Sequence, residues 1–230
     1  MDIRRGTIAR WWPTTQSLDL VEGSTEVVAS ALEAEVRRFV PGQPVSGAWT
    51  TVRDLDAAFS TAPAFANVPT HYLVLPTRSR WTVLWNNSFL CDGYDALCWC
   101  LTKNHGLTTM HWFAHDDWTT MQSGAGFTHR RRDREEIVER SVYSAQEDTQ
   151  WHFHAIGPPL PEEALEQYAA RRKRDRLNEA AMMALLHRLG ADPWADDFYD
   201  LPQRGIFVMQ RLEIPETITL RTRDEVLRGR

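Results

Sequence analysis

The chain has 230 residues, a formal charge of −5 and a hydrophobic fraction of 43%, which are ordinary values for a globular protein long enough to bury a core. No apolar run approaches the roughly 20 residues that span a bilayer, and the N-terminus lacks the apolar stretch of a secretory signal. The three cysteines all lie within residues 91–100, which predicts reduced thiols rather than disulfides. We therefore expect a cytoplasmic protein that binds neither membrane nor nucleic acid.

The first part of the chain, about residues 1–69, is predicted to be mostly helical. Ser24 or Thr25 can cap a helix over Glu26–Phe39, where apolar residues recur at three- and four-residue steps. A second, short helix is predicted over Val52–Phe59, and a loop follows it.

Strand-like patterns begin near residue 70 and continue to about residue 214. His71–Leu75 and Arg80–Trp85 are rich in β-branched and aromatic residues and flank a turn that begins with proline, which indicates a hairpin. A helix is predicted over residues 92–104. Further strands are predicted at residues 107–113, 127–129, 137–144, 150–156 and 205–212.

The longest helix is predicted to begin at Pro161 and to end at Gly190, because proline suits the first helical position and glutamates follow it. Residues 215–230 form a charged tail, for which we expect loose order. Strands and helices alternate too irregularly for βαβ units, so we expect an α+β fold with a mostly antiparallel sheet flanked by helices and a helical N-terminal portion. No linker interrupts residues 1–230, which favours a single domain.

Of all side chains in the sequence, the histidines come nearest to the pattern of a catalytic or metal-binding site. The chain lacks the known phosphate-loop, nucleophile-elbow and zinc-protease motifs, and no cofactor is expected. His152 and His154 lie two apart in a predicted strand and so share one face, while His111 and His115 flank the end of another strand. Histidines with a carboxylate can hold Zn²⁺ or Fe(II). The alternative, which we favour, is that they form the polar face of a half-buried sheet and hold no metal.

Three other features have a chemical and a structural interpretation. Cys91 with a distant histidine could be the nucleophile of a cysteine hydrolase, yet free cysteines are commonly buried as small hydrophobic residues. Two basic clusters, at residues 129–134 and 171–176, could bind phosphates. Glutamates lie near both clusters, which favours solvated surface instead. The first cluster is then part of a loop over residues 130–136, and the second is the solvated face of a helix. Gly124–Gly126 is interpreted as a turn.

Two acidic and aromatic segments are candidates for contact with a partner. Carboxylates can steer the encounter with a basic surface, and rigid aromatic side chains supply contact area. The alternative is that the aromatic residues pack at helix ends while the aspartates are solvated. The candidate residues are Asp116, Asp117, Trp118, Asp196, Asp197 and Phe198.

The layout from His71 to Leu212 resembles a known class of bacterial proteins. It contains RWTVLWNNSFLCDGYDALCWCLTKNHG, LTTMHWFAHDD, WHFHAIGPPLPEEALEQYAARRKRDRLN, LHRLGADPW and RGIFVMQRL. With tryptophan-rich strands, acidic loops and no catalytic motif, it is similar to the small cytoplasmic immunity proteins encoded beside polymorphic toxins, including those of type VI secretion and Rhs systems. The resemblance implies a protein without enzymatic activity that binds a cognate toxin domain and covers its active site. A metal- or cysteine-dependent hydrolase, and an adaptor that binds a secreted effector, stay open as alternatives.

Overall fold

The computed structural model describes residues 6–11, 14–90, 95–115, 123–147 and 149–228. The strands of these ranges are β1 (Ser17–Glu22), β2 (Val45–Thr50), β3 (Phe65–Ala66), β4 (His71–Leu75), β5 (Trp81–Asn86), β6 (Thr109–His115), β7 (Gly124–Asp133), β8 (Glu136–Glu147), β9 (Gln150–Ile156), β10 (Ile206–Arg211) and β11 (Leu220–Arg221). The α-helices are α1 (Gly6–Arg10), α2 (Thr25–Phe39), α3 (Leu55–Phe59), α4 (Asp95–His105), α5 (Glu179–Arg188), α6 (Leu201–Arg204) and α7 (Arg223–Arg228).

A nine-stranded sheet organises the fold, in the order β2-β10-β4-β5-β1-β6-β7-β8-β9. Each neighbouring pair in it is antiparallel. Helices α2 and α4 pack on what we call the first face of the sheet, and α1, α3 and α5 pack on its second face. The predicted α+β fold, with a mostly antiparallel sheet flanked by helices, is therefore confirmed. No helix in the described ranges combines the length and the apolar character needed to cross a membrane.

The two faces bury different kinds of side chain. On the second face, aromatic residues dominate the core, and Trp81, Trp85 and Trp112 are almost fully buried. The first face is built from smaller apolar residues on the strands and on α2, such as Val74 and Leu32. Because β1 and β5 are covered on both faces, their apolar side chains run almost without interruption instead of alternating with exposed polar ones.

The N-terminal part of the chain contains strands as well as helices, which differs from the helical portion that we expected. Ser24 caps α2 as predicted, through a hydrogen bond from the Val27 N–H. However, β1 lies near the middle of the large sheet and β2 forms one of its edges. Both strands are short, and their pairing partners lie far away in sequence, so local periodicity does not reveal them.

The prediction of one long helix from Pro161 to Gly190 is wrong. Residues 165–169 and 173–175 form short 3₁₀ turns, and α5 begins only at Glu179. Asn178 starts α5 with an extended backbone and accepts a hydrogen bond from the Ala181 N–H. Four consecutive basic residues, 171–174, precede this cap and repel one another. Residues 171–175 of the predicted basic cluster are exposed, as predicted, but no α-helix carries them, and Arg176 is half-buried.

The polar loop predicted at Arg130–Glu136 is instead the tip of the β7–β8 hairpin. Strand β7 continues to Asp133, and only Arg134 and Glu135 form the turn, with Arg134 at a positive φ of 57°. Gly124–Gly126 is part of β7, not a turn. The ring of Phe113 lies so close to Gly126 that an added Cβ would come within 2.5 Å of it, which explains glycine within this strand.

The charged tail is ordered by contacts with the body of the protein. Strand β11 pairs with β3, and the Arg221 guanidinium lies 4.5 Å from the centre of the Phe89 ring. In α7, the Arg223 guanidinium lies 4.1 Å from the centre of the Trp11 ring. Cation–π contacts of this kind allow charged residues to anchor a terminal segment on aromatic surface, which composition alone did not indicate.

Candidate functional site

Several predicted site residues lie outside the part of the chain that the structure describes. Cys91 and the segment Asp116, Asp117 and Trp118 fall in the gaps 91–94 and 116–122, and the side chain of His115 is not described. The geometry of the site is therefore built from the other candidates.

The three described candidate histidines share the first face of the sheet but do not converge. His111 lies on β6, whereas His152 and His154 lie on β9, three strands away. Neighbouring strands are about 4.8 Å apart, so three spacings separate these strands by roughly 14 Å. Among the described residues, no group of three or more His, Cys, Asp or Glu side chains is placed to hold a metal ion.

His111 instead belongs to a buried polar cluster beneath α4. Its Nδ1 lies 2.7 Å from Oδ1 of Asp19 on β1, and both side chains are almost fully buried. Burial alone would lower the pKa of His111, but the hydrogen bond and charge of Asp19, together with the charge of Asp95, raise it. The imidazole is therefore held in one orientation next to a carboxylate, an arrangement that suits either a structural link or acid–base chemistry.

The thiol of Cys98 interacts with the same carboxylate. Burial, followed by the charge and hydrogen bond of Asp19, raises the pKa of Cys98 far above its ordinary range. Nucleophilic cysteines need the opposite environment, a partly exposed thiol whose pKa is lowered by a nearby positive charge. Cys98 is therefore a core residue here, although it lies near a histidine and an aspartate.

Arg130 extends the buried cluster along β7. Its guanidinium binds both carboxylate oxygens of Asp95 at the start of α4, with Nη2 2.8 Å from Oδ2, and its Nε donates to Oε2 of Glu139 at 2.6 Å. Burial tends to raise the pKa of Asp95, but the Arg130 bonds outweigh this effect and lower it. Arg130 is only 6% exposed, so this member of the predicted solvated loop is a buried link between β7, β8 and α4.

Beyond α4, the first face of the sheet carries a patch of uncharged side chains between Glu139 and Glu147 of β8, which we call the open face. Tyr143 on β8 stacks on His154 of β9, with ring centres 4.7 Å apart, and His154 in turn faces His152 at 6.4 Å. Ile156, at the end of this row, is 64% exposed. The open face consists of Thr128, Ser141, Tyr143, His152, His154 and Ile156.

The second face of the same strands is covered. Val142 is fully buried there, Phe153 packs on Tyr168, and the Ser144 hydroxyl donates to the Lys173 carbonyl at 2.7 Å. At this end of the first face, the described helix that packs closely is α4, which contacts β6 and β7. His154 is exposed, whereas Tyr143 and His152 are half-buried. Aromatic groups held on a rigid sheet in this way suit a binding surface, because little side-chain freedom is lost on contact.

Strand β9 also forms an edge of the sheet. Its sequence, Gln150–Ile156, contains no charged residue and no proline, and β8 is its pairing partner within the large sheet. Natural edge strands commonly carry charges or proline that prevent pairing with another chain. An uncharged edge beside a partly exposed aromatic row is therefore a surface suited to contact with a partner.

The second acidic and aromatic segment is partly engaged within the molecule. The carboxylate of Asp196 accepts hydrogen bonds from the N–H and the hydroxyl of Thr7, at 2.9 and 3.1 Å, and thereby holds the start of α1. Phe198 is half-buried and meets the Tyr199 ring edge-on, while Asp197 is exposed. Of these three candidates, Asp197 is the one whose side chain has no structural contact described here.

Sequence reasoning missed Asp19 and Tyr143. A signal for Asp19 existed, since it is a lone carboxylate within the apolar run Leu18–Val21, and such a residue must find a partner when it is buried. Tyr143 gave no such signal, because its role depends on pairing with His154 across two strands.

A buried histidine on the second face makes stability depend on pH. Burial, followed by the charge of Arg131, lowers the pKa of His129 to about 4. In the unfolded chain the pKa of this histidine is near 6.5. The free energy of unfolding therefore falls as the pH drops from about 6.5 to about 4, and the full loss is about 3 kcal/mol. We expect His129→Leu to remove this part of the acid sensitivity in denaturant unfolding between about pH 7 and pH 4. Equal slopes of stability against pH in the two proteins would contradict the assignment.

Comparison with known proteins identifies no relative: no family model, no curated protein and no solved structure matches the chain.

Proposed function

We propose that this chain is a binding protein that recognises another protein through its open face, and that it acts as a cytoplasmic immunity protein against a bacterial toxin domain. The observation that carries the proposal is the partly exposed row of Tyr143, His154 and His152 beside the uncharged edge strand β9. The resemblance to immunity proteins, stated from the sequence, supports a toxin domain as the partner.

The chemistry of the open face favours a protein over a nucleic acid. Its six residues carry no arginine or lysine, whereas surfaces that bind nucleic acids rely on basic side chains to contact phosphates. Tyrosine and histidine instead offer an apolar ring together with a hydrogen-bonding group, the combination enriched at protein interfaces. Backbone groups at the outer edge of β9 can add hydrogen bonds to a strand of the partner.

The direct test is whether the chain protects bacteria from a toxin domain taken from its own gene neighbourhood. We expect Tyr143→Ala combined with His154→Ala to weaken toxin binding by about 2 kcal/mol or more, if these rings are the central contacts, and to reduce protection accordingly. Trp49→Ala is the matched control, because Trp49 is an exposed aromatic residue on β2 at the opposite edge of the sheet. Binding is measured by calorimetry, and folding of each variant by its melting temperature.

The same assay distinguishes the open face from the acidic segment. If Asp197→Lys weakens binding while the Tyr143→Ala and His154→Ala double variant does not, the partner contacts the segment around residues 196–198. Full protection by both variants would show that neither surface binds the toxin. A gene neighbourhood that contains only metabolic genes would argue against an immunity function.

A hydrolase is the second candidate, and the Asp19–His111 bond of 2.7 Å is the observation that favours it. In such an enzyme Asp19 would orient His111 as a general base. Substitution His111→Gln would then abolish turnover, whereas an immunity protein carrying the same change would retain toxin binding as long as it folds.

A further inference from the structure

The connection between β9 and α5, residues 157–178, carries a run of consecutive basic side chains that we call the basic segment. It consists of Arg171, Arg172, Lys173 and Arg174, and all four are exposed. The 3₁₀ turn over residues 173–175 packs against β8 and β9 on the second face of the sheet. The basic segment therefore places positive charge directly beside the edge strand β9.

The backbone of the basic segment is fixed to the body of the protein. The Lys173 carbonyl accepts a hydrogen bond from the Ser144 hydroxyl at 2.7 Å, and the Ala170 carbonyl accepts one from Nε of Arg176 at 2.9 Å. The Arg176 guanidinium also lies 5.3 Å from the centre of the Phe153 ring on β9. Because the backbone is already ordered, a partner that binds these side chains loses little affinity to the ordering of a loop.

The charges of the basic segment are hardly compensated by the described residues. Among these residues, its ion pair joins Nε of Arg174 to Oδ1 of Asp175 at 3.7 Å, where both side chains are about half exposed and water weakens the attraction. The tip of the β7–β8 hairpin differs, because Arg130, Arg131 and Arg132 each pair with a carboxylate there. The adjacent cations of the basic segment repel one another, so an external anionic group would be attracted to them.

The position beside β9 favours a protein over a nucleic acid as the anionic partner. None of the described strands pairs with the outer edge of β9, and an extended polypeptide can continue a sheet at such an edge. Bases need exposed rings for stacking, whereas Phe153 and Tyr168 are half-buried against each other. The exposed carboxylates of Glu166 and Asp175 lie in the same connection and would repel a phosphate backbone.

We propose that the basic segment and the edge of β9 together bind an extended acidic segment of a partner protein. Strand pairing supplies backbone hydrogen bonds, and the arginines contact carboxylates of the partner. Four extended residues span roughly 13 Å, so the basic segment matches a partner stretch of about four residues. The inference rests on the proposed function for the use of β9 and adds the chemistry of the partner.

The test is fluorescence anisotropy of a labelled decapeptide of alternating glutamate and threonine, titrated with the full-length protein. We expect binding at low salt that weakens as the salt concentration rises, because salt screens exposed charges. Arg171→Gln combined with Arg172→Gln should weaken binding about tenfold, as expected for the loss of two exposed ion pairs. The matched control is Arg53→Gln combined with Arg131→Gln, which removes the same charge from other exposed positions and should leave binding nearly unchanged.

The location of the bound peptide and its chemical class are tested in the same way. Backbone hydrogen exchange in β9 should slow when the peptide binds, and unchanged exchange would overturn pairing at this edge. Equal affinities of the two double variants would overturn the role of the basic segment, as would tighter binding of a ten-residue uridine oligonucleotide or of phosphatidylserine vesicles. Tyr143→Ala combined with His154→Ala should bind the peptide like the wild type, so toxin binding by that variant tests the proposed function separately. Melting temperatures verify that each variant is folded.

Discussion

Replacing Glu163 with alanine is expected to lower the free energy of unfolding by about 3–5 kcal/mol, because it leaves a buried guanidinium without its counter-charge. Arg140 donates from Nε and Nη2 to the two carboxylate oxygens of Glu163, at 2.8 and 2.6 Å. The side chains are 7% and 0% exposed, although the backbone of Glu163 is partly accessible. The hydrogen bonds that Arg140 donates to this carboxylate raise the pKa of Arg140 in the wild type. A guanidinium stays protonated even without such a partner, so the variant cannot avoid the cost by losing the proton.

Glu163 also holds the segment that follows β9. It accepts hydrogen bonds from the Leu160 N–H at 2.6 Å and from the Tyr168 hydroxyl at 2.9 Å. Burial, followed by the charge of Glu163, raises the pKa of Tyr168, so its hydroxyl stays protonated and remains a donor. The alanine variant therefore loses the tie between β8 and residues 157–170, and we expect faster backbone hydrogen exchange in that segment.

Chemical denaturation of three variants checks this prediction. Glu166→Ala removes an exposed carboxylate from the same segment and should change stability by only about 0.5 kcal/mol. The double substitution Arg140→Met with Glu163→Leu should recover much of the loss, because replacing both buried charges avoids the unpaired ion. Equal stabilities of Glu163→Ala and Glu166→Ala would show that the ion pair contributes nothing.

The second large effect is expected at Asp19, where alanine should lower the free energy of unfolding by about 3 kcal/mol. The substitution leaves the His111 Nδ1 without its partner, and it also removes the hydrogen-bond acceptor beside Cys98. His111 is buried beneath α4 and Cys98 is buried on that helix, so water cannot replace the missing carboxylate.

The contribution of Asp19 should depend on pH in a defined direction. Because the pKa of His111 is raised in the folded protein, its stabilising charge interaction is fully present below the unfolded pKa and is lost as the pH rises through the folded pKa. Asp19→Asn keeps the shape but removes the charge, so the stability gap from wild type should be larger at about pH 6 than at about pH 9. A gap that grows with pH would contradict the assigned charge states.

These pH effects oppose the one expected for His129, which provides an internal comparison. His129 stays neutral because burial and Arg131 lower its pKa, whereas His111 gains a proton because of Asp19. The two residues lie on opposite faces of the sheet, on strands β7 and β6. Their environments, and not their residue type, therefore decide which way protonation shifts the folding equilibrium.

Local signals in the sequence were sufficient for several elements. The hairpin of His71–Leu75 and Trp81–Asn86 was predicted to within one residue at each end, because β-branched and aromatic runs flank a turn. The start of α2 was predicted from a capping residue, and the strand near residues 205–212 from alternating side chains. Each of these signals is contained within about ten neighbouring residues, so no distant partner is needed to recognise it.

Candidate sites were predicted less well because their members come from separate strands. His152 and His154 were correctly placed on one face, since that follows from a period of two. Their separation from His111 depends on the order of strands in the sheet. The roles of Arg130 and Asp19 depend on α4 lying above them, and no local pattern contains that information.

By itself the sequence determined the fold class, the hairpin of β4 and β5 and the cap of α2, because backbone geometry and side-chain period are local properties. Only the tertiary structure decided that β1 joins the middle of the sheet, that the segment after Pro161 is not one helix, and which charged residues are buried in pairs. The reason is physical: burial and ion pairing are set by contacts between residues far apart in the chain, and these contacts outweigh local preferences that differ by only about 1 kcal/mol.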